Sequence, residues 1–254
     1  MFKHNINNVI IILYTLGIVS ISLMFMFIIR RSVSISTLES HHTVAGFVYA
    51  VVGIIYAVLI SFVVLMVWQQ FHTAQDRAEK EASAVSILYK TTRSFDSIPK
   101  ARIQSYLKEY CFTMIEYEYP AMNELRSSSE NFNAYKKLWD FVVNYKPQTQ
   151  QELLWYKKLQ DGMINLQESR RLRLNAVNFA IPQFMWYIIF IGAVITISFA
   201  YLFGTKTVLP QALMMVALSM MIGLVLLLVS ALENPFSGII RVDSEPFVSV
   251  LKNL

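Results

Sequence analysis

The chain has 254 residues, of which 55% are hydrophobic and 15% charged, against about 25% charged in an ordinary water-soluble domain, and this balance argues against a wholly aqueous globular protein. A formal charge of +5 raises nucleic acid as a partner, but the basic residues are interspersed with most of the acids, the pattern of solvated helix faces and membrane flanks, so no nucleic acid is expected. Cys111 is the single cysteine; it excludes an intrachain disulfide and a multi-cysteine metal centre, and reads as a structural thiol in a reducing compartment.

Four stretches approach or exceed the roughly 20 apolar residues that span a bilayer: Val9 to Ile29, Val44 to Trp68, Phe184 to Phe203 and Ala212 to Leu232. None contains Lys, Arg, Asp or Glu. A soluble helix of that length keeps a polar face, so burial in an aqueous core is a poor alternative. The first stretch is too long for the apolar part of a signal peptide and runs into Arg30 and Arg31 without a small-residue cleavage pattern, so it reads as a retained helix. The expected fold is an all-α membrane protein with four transmembrane helices in two hairpins, a helical cytoplasmic region between them, and helices two and three extended into that region.

In chain order the division is a first hairpin over 1–68, joined by the polar link Arg30 to Thr43; a charged region over 69–183; a second hairpin over 184–232, turning at Gly204 to Gln211 with Pro210; and a tail over 233–254. Four crossings put both termini and the charged region on one side. Lys3, Arg77, Lys80, Arg170, Arg171, Arg173 and Arg241 flank the membrane there, against Arg30, Arg31 and Lys206 opposite. The positive-inside rule assigns the larger group to the cytoplasm. Trp68 and Trp186 then fall at the same interface, as an aromatic belt would place them. The localisation expected is multi-pass, in a bacterial inner membrane, with cytoplasmic termini.

The region from Gln69 to Gln183 holds 16 basic and 13 acidic residues and no glycine before Gly162, a helical composition. No stop signal follows the second crossing: Gln69 to Ala82 is rich in helix formers and offers the (i, i+4) pairs Asp76/Lys80 and Arg77/Glu81, so one helix continues out of the bilayer. Pro99 after Ser97 marks a helix start, Pro120 an interruption, and Thr149-Gln150-Gln151-Glu152 a capping box opening a last long helix that leads to Pro182 and the third crossing. The interleaved aromatics Tyr106, Tyr110, Phe112, Tyr117, Tyr119, Trp139, Phe141, Tyr145, Trp155 and Tyr156 read as core at helical spacing.

Catalytic signatures are missing: the sequence has no phosphate-cradling glycine loop, no G-x-S-x-G, no H-E-x-x-H and no cysteine pair. Neither enzymatic activity nor a cofactor or metal is expected. His4, His41, His42 and His72 read as interfacial polar residues, and Glu109, Glu116, Glu118 and Glu124 as a solvated face. An ionisable group inside a crossing would have pointed to a proton-coupled transporter. A pore, by contrast, needs no charge in its helices. The second crossing is the candidate lining, with Gly46, Tyr49, Gly53, Tyr56, Ile60 and Val64 on or near one stripe, although glycines so spaced also serve close helix packing. Four helices enclose little space, so such a pore would require several copies around an axis.

After the fourth crossing the sequence reads Glu233-Asn234-Pro235-Phe236-Ser237-Gly238, then Ile239-Ile240-Arg241-Val242-Asp243-Ser244-Glu245. This resembles the Asn-Pro-Phe-Gly segment that follows the last membrane helix of bestrophins. The run Gly46 to Leu59, continuing through Trp68-Gln69-Gln70-Phe71 to Ala82, is similar to the matching segment of bacterial bestrophin-like proteins. The resemblance implies a homo-oligomeric, pentameric channel in the lipid bilayer that passes inorganic anions, lined by the second helix and prolonged by the cytoplasmic helices. Animal bestrophins follow the motif with an acidic run that clasps calcium; here Ser237 interrupts the motif and the carboxylates stand only at Asp243 and Glu245. Ile60 and Val64 are assigned to the hydrophobic neck by location. A non-conducting scaffold and a cation pore, the latter suggested by Asp76, Glu79 and Glu81, remain alternatives.

Overall fold

The structure, a computed structural model, describes residues 2–34, 42–177 and 180–254, with the side chains of residues 2–12, His42 and Thr43 excepted. Nine α-helices follow one another among these residues, and no strand: α1 (Phe2–Ser32), α2 (His42–Thr91), α3 (Ser97–Thr113), α4 (Tyr119–Met122), α5 (Ser129–Asn144), α6 (Gln150–Val177), α7 (Gln183–Ala200), α8 (Val208–Glu233) and α9 (Glu245–Asn253). Two compact units divide the chain, one of Met1–Trp68 with Ile181–Ala231 and the other of Gln69–Ala180 with Leu232–Leu254.

In the first unit, α1, α2, α7 and α8 are each long and apolar enough to cross a membrane. Their packing uses small residues as seats for large ones. Gly192 of α7 seats the Tyr56 ring: a Cβ there would lie 2.5 Å from Tyr56 Cδ2. Gly223 of α8 faces Ile18 of α1 in the same way, with a Cβ position 3.2 Å from Ile18 Cδ1. Met26, Tyr201 and Met215 form a further buried cluster with Leu23, Ile29 and Ala212 around them.

The absence of a stop signal after Trp68 is realised as a helix of 50 residues: α2 runs unbroken to Thr91. In the second unit its later turns pack against α3, α5 and α6 through Val85, Leu88, Leu107, Leu138, Leu159 and Leu166, all at or near full burial. Local signals place the helix ends. Pro99 stands in the first turn of α3, whose N-cap is Asp96. Ser128 caps α5, its Oγ accepting from the amides of Glu130 and Asn131 at 3.1 and 3.2 Å. Thr149 Oγ1 likewise accepts from the Glu152 amide at 3.1 Å at the start of α6.

Pro120 shapes the middle of the unit. It has no amide to give to the turn before it, and there the chain makes a π turn over Met114–Glu118, after which α4 ends and Leu125 takes φ 58°. The third crossing is preceded by a separate helix: α6 stops at Val177, and Pro182 is the N-cap of α7.

Three sequence expectations are corrected here. Glu118 is fully buried and not part of a solvated face: it continues the buried steps of four from Tyr110 and Met114. Glu81 does not pair with Arg77: it is fully buried and bound to Arg173, while Arg77 Nη1 donates to the Leu172 carbonyl at 3.1 Å. Arg173, expected as a basic flank of the membrane, is wholly inside the second unit. His41 lies outside the described residues, as do the side chains of Lys3, His4 and His42.

Candidate functional site

The membrane part of α2 has two unlike sides. Tyr56, Ile60, Val63 and Val67 recur at helical spacing and are buried within the chain. Phe47, Ile54 and Phe62 are 73%, 65% and 66% exposed, and Val51 and Val58 lie between them, so the uncovered side is apolar apart from Ser61.

The six residues expected to line a pore all lie on or beside the covered side, Tyr56 and Ile60 buried and the other four partly buried. Tyr49 meets Phe203 edge to face at 5.4 Å between ring centroids, and a Cβ on Gly46 would touch the same Phe203 ring at 3.9 Å. Tyr56 lies on Gly192, its Oη buried without a hydrogen-bond partner among the described residues, and Ile60 is buried one turn on. Val64 is half-buried, and Gly53, its own helix turn aside, has no atom of the described residues within 4 Å of the position a Cβ would take. The hydroxyls nearby are engaged internally, Ser61 Oγ donating to the Ala57 carbonyl at 2.6 Å and Thr196 Oγ1 to that of Gly192 at 2.8 Å. Such a helix can present an apolar constriction or a face for association.

In the second unit α2 carries Ala74, Ala78, Glu81, Val85 and Leu88 along one buried seam, alternating steps of four and three. Glu81 is therefore a carboxylate in an apolar stripe, and sequence reasoning missed it. Its Oε2 accepts from Arg173 Nε at 2.6 Å and its Oε1 from the Tyr110 hydroxyl. Glu118 Oε1 accepts from Arg173 Nη2 at 3.3 Å, and Glu118 Oε2 from the Ser128 amide at 2.7 Å. Arg173 Nη1 also rests on the Met122 sulfur. One guanidinium thus joins α2, α6, the π turn and α4, with every member buried.

The electrostatics follow from that enclosure. Burial lowers the pKa of Arg173, but Glu81, Tyr110 and Glu118 outweigh it and hold the guanidinium above its ordinary value. Burial, then the Glu81 charge, raises Tyr110 well above the ordinary phenol, so it remains a hydrogen-bond donor. The same two causes push the Cys111 thiol up to about 12, which makes it inert.

The segment after α8 is a folded turn. Glu233 ends the helix, the Asn234 carbonyl accepts from the Ser237 amide at 3.0 Å, and the Pro235 carbonyl from the Val242 amide at 2.7 Å. Phe236 is buried against Tyr119 at 6.2 Å between ring centroids, and Phe247 of α9 also meets Tyr119, at 6.1 Å. Gly238 adopts φ +90°, which a side chain rarely tolerates. Ser237 Oγ donates to the Asn123 carbonyl at 2.9 Å and Arg241 Nη1 to Asn123 Oδ1 at 3.1 Å, so the segment is pinned beside α4. Asp243 Oδ1 accepts from the Glu245 amide at 3.1 Å, at the start of α9. Among the described residues no group of three His, Cys, Asp or Glu is placed to hold a metal ion.

A model of the bestrophin-like domain matches residues 16–247. No curated protein matches the sequence. Among solved structures, a bacterial bestrophin homologue from Klebsiella pneumoniae, solved by Zn-SAD phasing, is 14% identical with a TM-score of 0.68, the match covering 96% of each chain. A point mutant of that homologue gives a TM-score of 0.69 over 96% of this chain and 98% of its own, again at 14% identity. A crystal structure described only as a membrane protein matches at 14% identity and a TM-score of 0.68 over 96% of each chain.

Proposed function

Because the chain belongs to the bestrophin-like family, we propose that it is a homo-oligomeric membrane channel that conducts anions, with α2 lining the pore. Family membership and the four apolar helices support an integral membrane protein whose function is ion passage and not catalysis.

The observation that carries the reading is the largely apolar, uncovered side of α2 in a membrane segment without Asp, Glu, Lys, Arg or His. A helix with one side packed inside its own subunit and the other bare is completed when copies arrange the bare sides around an axis. Chloride-like ions, whose dehydration costs less than that of small cations, suit a constriction of this kind. In this proposal Gly53 and Val64, partly exposed at the edge of the covered side, border the conduit, while Gly46, Tyr49, Tyr56 and Ile60 brace the helix from within the subunit. A pentamer is proposed, with residues 69–183, the 233–254 tail and both termini in the cytoplasm of a bacterial cell.

Liposome flux tests it. Purified protein should carry chloride or iodide, and Gly53→Phe should abolish the flux without loss of fold, since the space beside Gly53 is empty. Absent flux from a folded oligomer would establish the scaffold reading instead. Reversal potentials under a salt gradient decide between anions and the cations that Glu79, Asp243 and Glu245, around a cavity of about 540 Å³ in the second unit, would favour.

A further inference from the structure

Arg30 stands in the last turn of α1, where helix carbonyls favour a cation. Its Nη1 donates to Gln211 Oε1 at 2.5 Å and to the Thr205 carbonyl at 2.9 Å, and its Nη2 to the Lys206 carbonyl at 3.2 Å. All three acceptors are neutral. They fix the guanidinium in position and leave its charge uncompensated, with two of its five N–H groups outside these bonds. Arg31 follows, exposed, and Lys206 belongs to the very turn that Arg30 holds.

No Asp or Glu occurs among the described residues of this unit. Glu39, in the connecting segment outside them, is the single acid that the sequence places at this end, so three cations against one carboxylate leave a charge of +2. A cationic end of this kind is complementary to a phosphate group.

A second observation narrows the ligand. Gln211, the buried acceptor of Arg30, also lines an apolar groove of about 250 Å³ together with Gly46, Tyr49, Phe203, Met214 and Leu218. Cationic head site and apolar groove therefore meet at one residue. Free phosphate would satisfy the first and leave the second empty. A zwitterionic lipid would fill the groove and bring its own ammonium to the cations.

We propose that this end of the membrane unit binds an anionic phospholipid, its phosphate held by Arg30, Arg31 and Lys206 and one acyl chain lying in the groove beside Gln211. The site is separate from the conduit reading and stands or falls without it.

The test uses the full-length protein in detergent, titrated with phosphatidylglycerol, phosphatidylcholine or inorganic phosphate, with bound lipid counted by native mass spectrometry. Phosphatidylglycerol should be retained over phosphatidylcholine. The Arg31→Gln/Lys206→Gln variant should lower its affinity about 30-fold, two interfacial cations being removed, and leave phosphatidylcholine unchanged. Met214→Trp, at an exposed position on the groove, should weaken phosphatidylglycerol without altering the charge. Should the double variant elute differently from the parent, Arg31→Gln alone carries the same test with a loss of about fivefold. Equal retention of the two lipids, or unchanged phosphatidylglycerol binding in the charge variant, would overturn the proposal. Displacement of the lipid by millimolar inorganic phosphate would reassign the site to a free anion and overturn its lipid identity.

Discussion

Arg173 Nε donates to Glu81 Oε2 at 2.6 Å across 92 positions of sequence, and neither side chain reaches solvent. A second carboxylate, Glu118, shares the same guanidinium. Their mutual attraction offsets the cost of dehydrating three ions, so the cluster fixes which elements meet more than it adds net stability.

Removing one partner is therefore the damaging change. Arg173→Met leaves two buried carboxylates without their cation and should destabilise the protein by about 3–5 kcal/mol, read as a lowered Tm in detergent. Glu81→Leu with Glu118→Leu and Arg173→Met, an apolar replacement of the whole cluster, should recover most of that loss. A triple variant as unstable as Arg173→Met would show that the charges themselves hold the fold.

The contrast between what the sequence foretells and what it hides lies in the range of the forces. The four crossings depend on unbroken apolar runs, and the continuation of α2 to Thr91 on a lack of breakers; both are local properties. Thr149, Pro99 and Pro120 act within a turn of themselves, and each was legible. Glu81 was not, because Asp76 to Glu81 has the charge pattern of an exposed helix and only Arg173, far along the chain, draws the carboxylate inward. The signal available was its step from Ala78 and to Val85 on an otherwise apolar seam. Glu118 offered a signal of the same kind: it stands four residues after Met114 and eight after Tyr110, on the buried face that α3 carries into the π turn. The Asn-Pro-Phe segment was recognisable as a motif, but its attachment to Asn123 and Tyr119 is a tertiary fact.

At the start of α6, Glu152 is buried and accepts from the Tyr145 hydroxyl and from the Gln148 amide at 2.7 Å. The Tyr145 bond first, then the Gln148 amide, lower its pKa below 4.5. A depressed carboxylate contributes stability that is complete above its unfolded value and fades as pH falls through the folded one. The stability difference between the parent and Glu152→Gln should accordingly be full at pH 6–7 and shrink below about pH 4.5. Chemical denaturation across that range measures it, and a difference independent of pH would refute an ionised cap.

Two glycines of the membrane unit should respond oppositely to the same added methyl group. At Gly192 a Cβ would stand 2.5 and 2.7 Å from two carbons of the Tyr56 ring, a rigid group pinned between helices, so something must move. Gly192→Ala should lower stability by about 1–3 kcal/mol through overpacking. Gly53, with nothing within 4 Å, should accept Ala without loss and gain a few tenths of a kcal/mol up to about 1 from helix propensity. Tyr56→Leu in the Gly192→Ala background should restore part of the stability, since the clash is with the ring and not with backbone. Thermal unfolding of the parent, Gly53→Ala, Gly192→Ala, Tyr56→Leu and the double variant in one detergent decides the matter: additive effects at positions 56 and 192 would mean that the ring and the glycine do not touch.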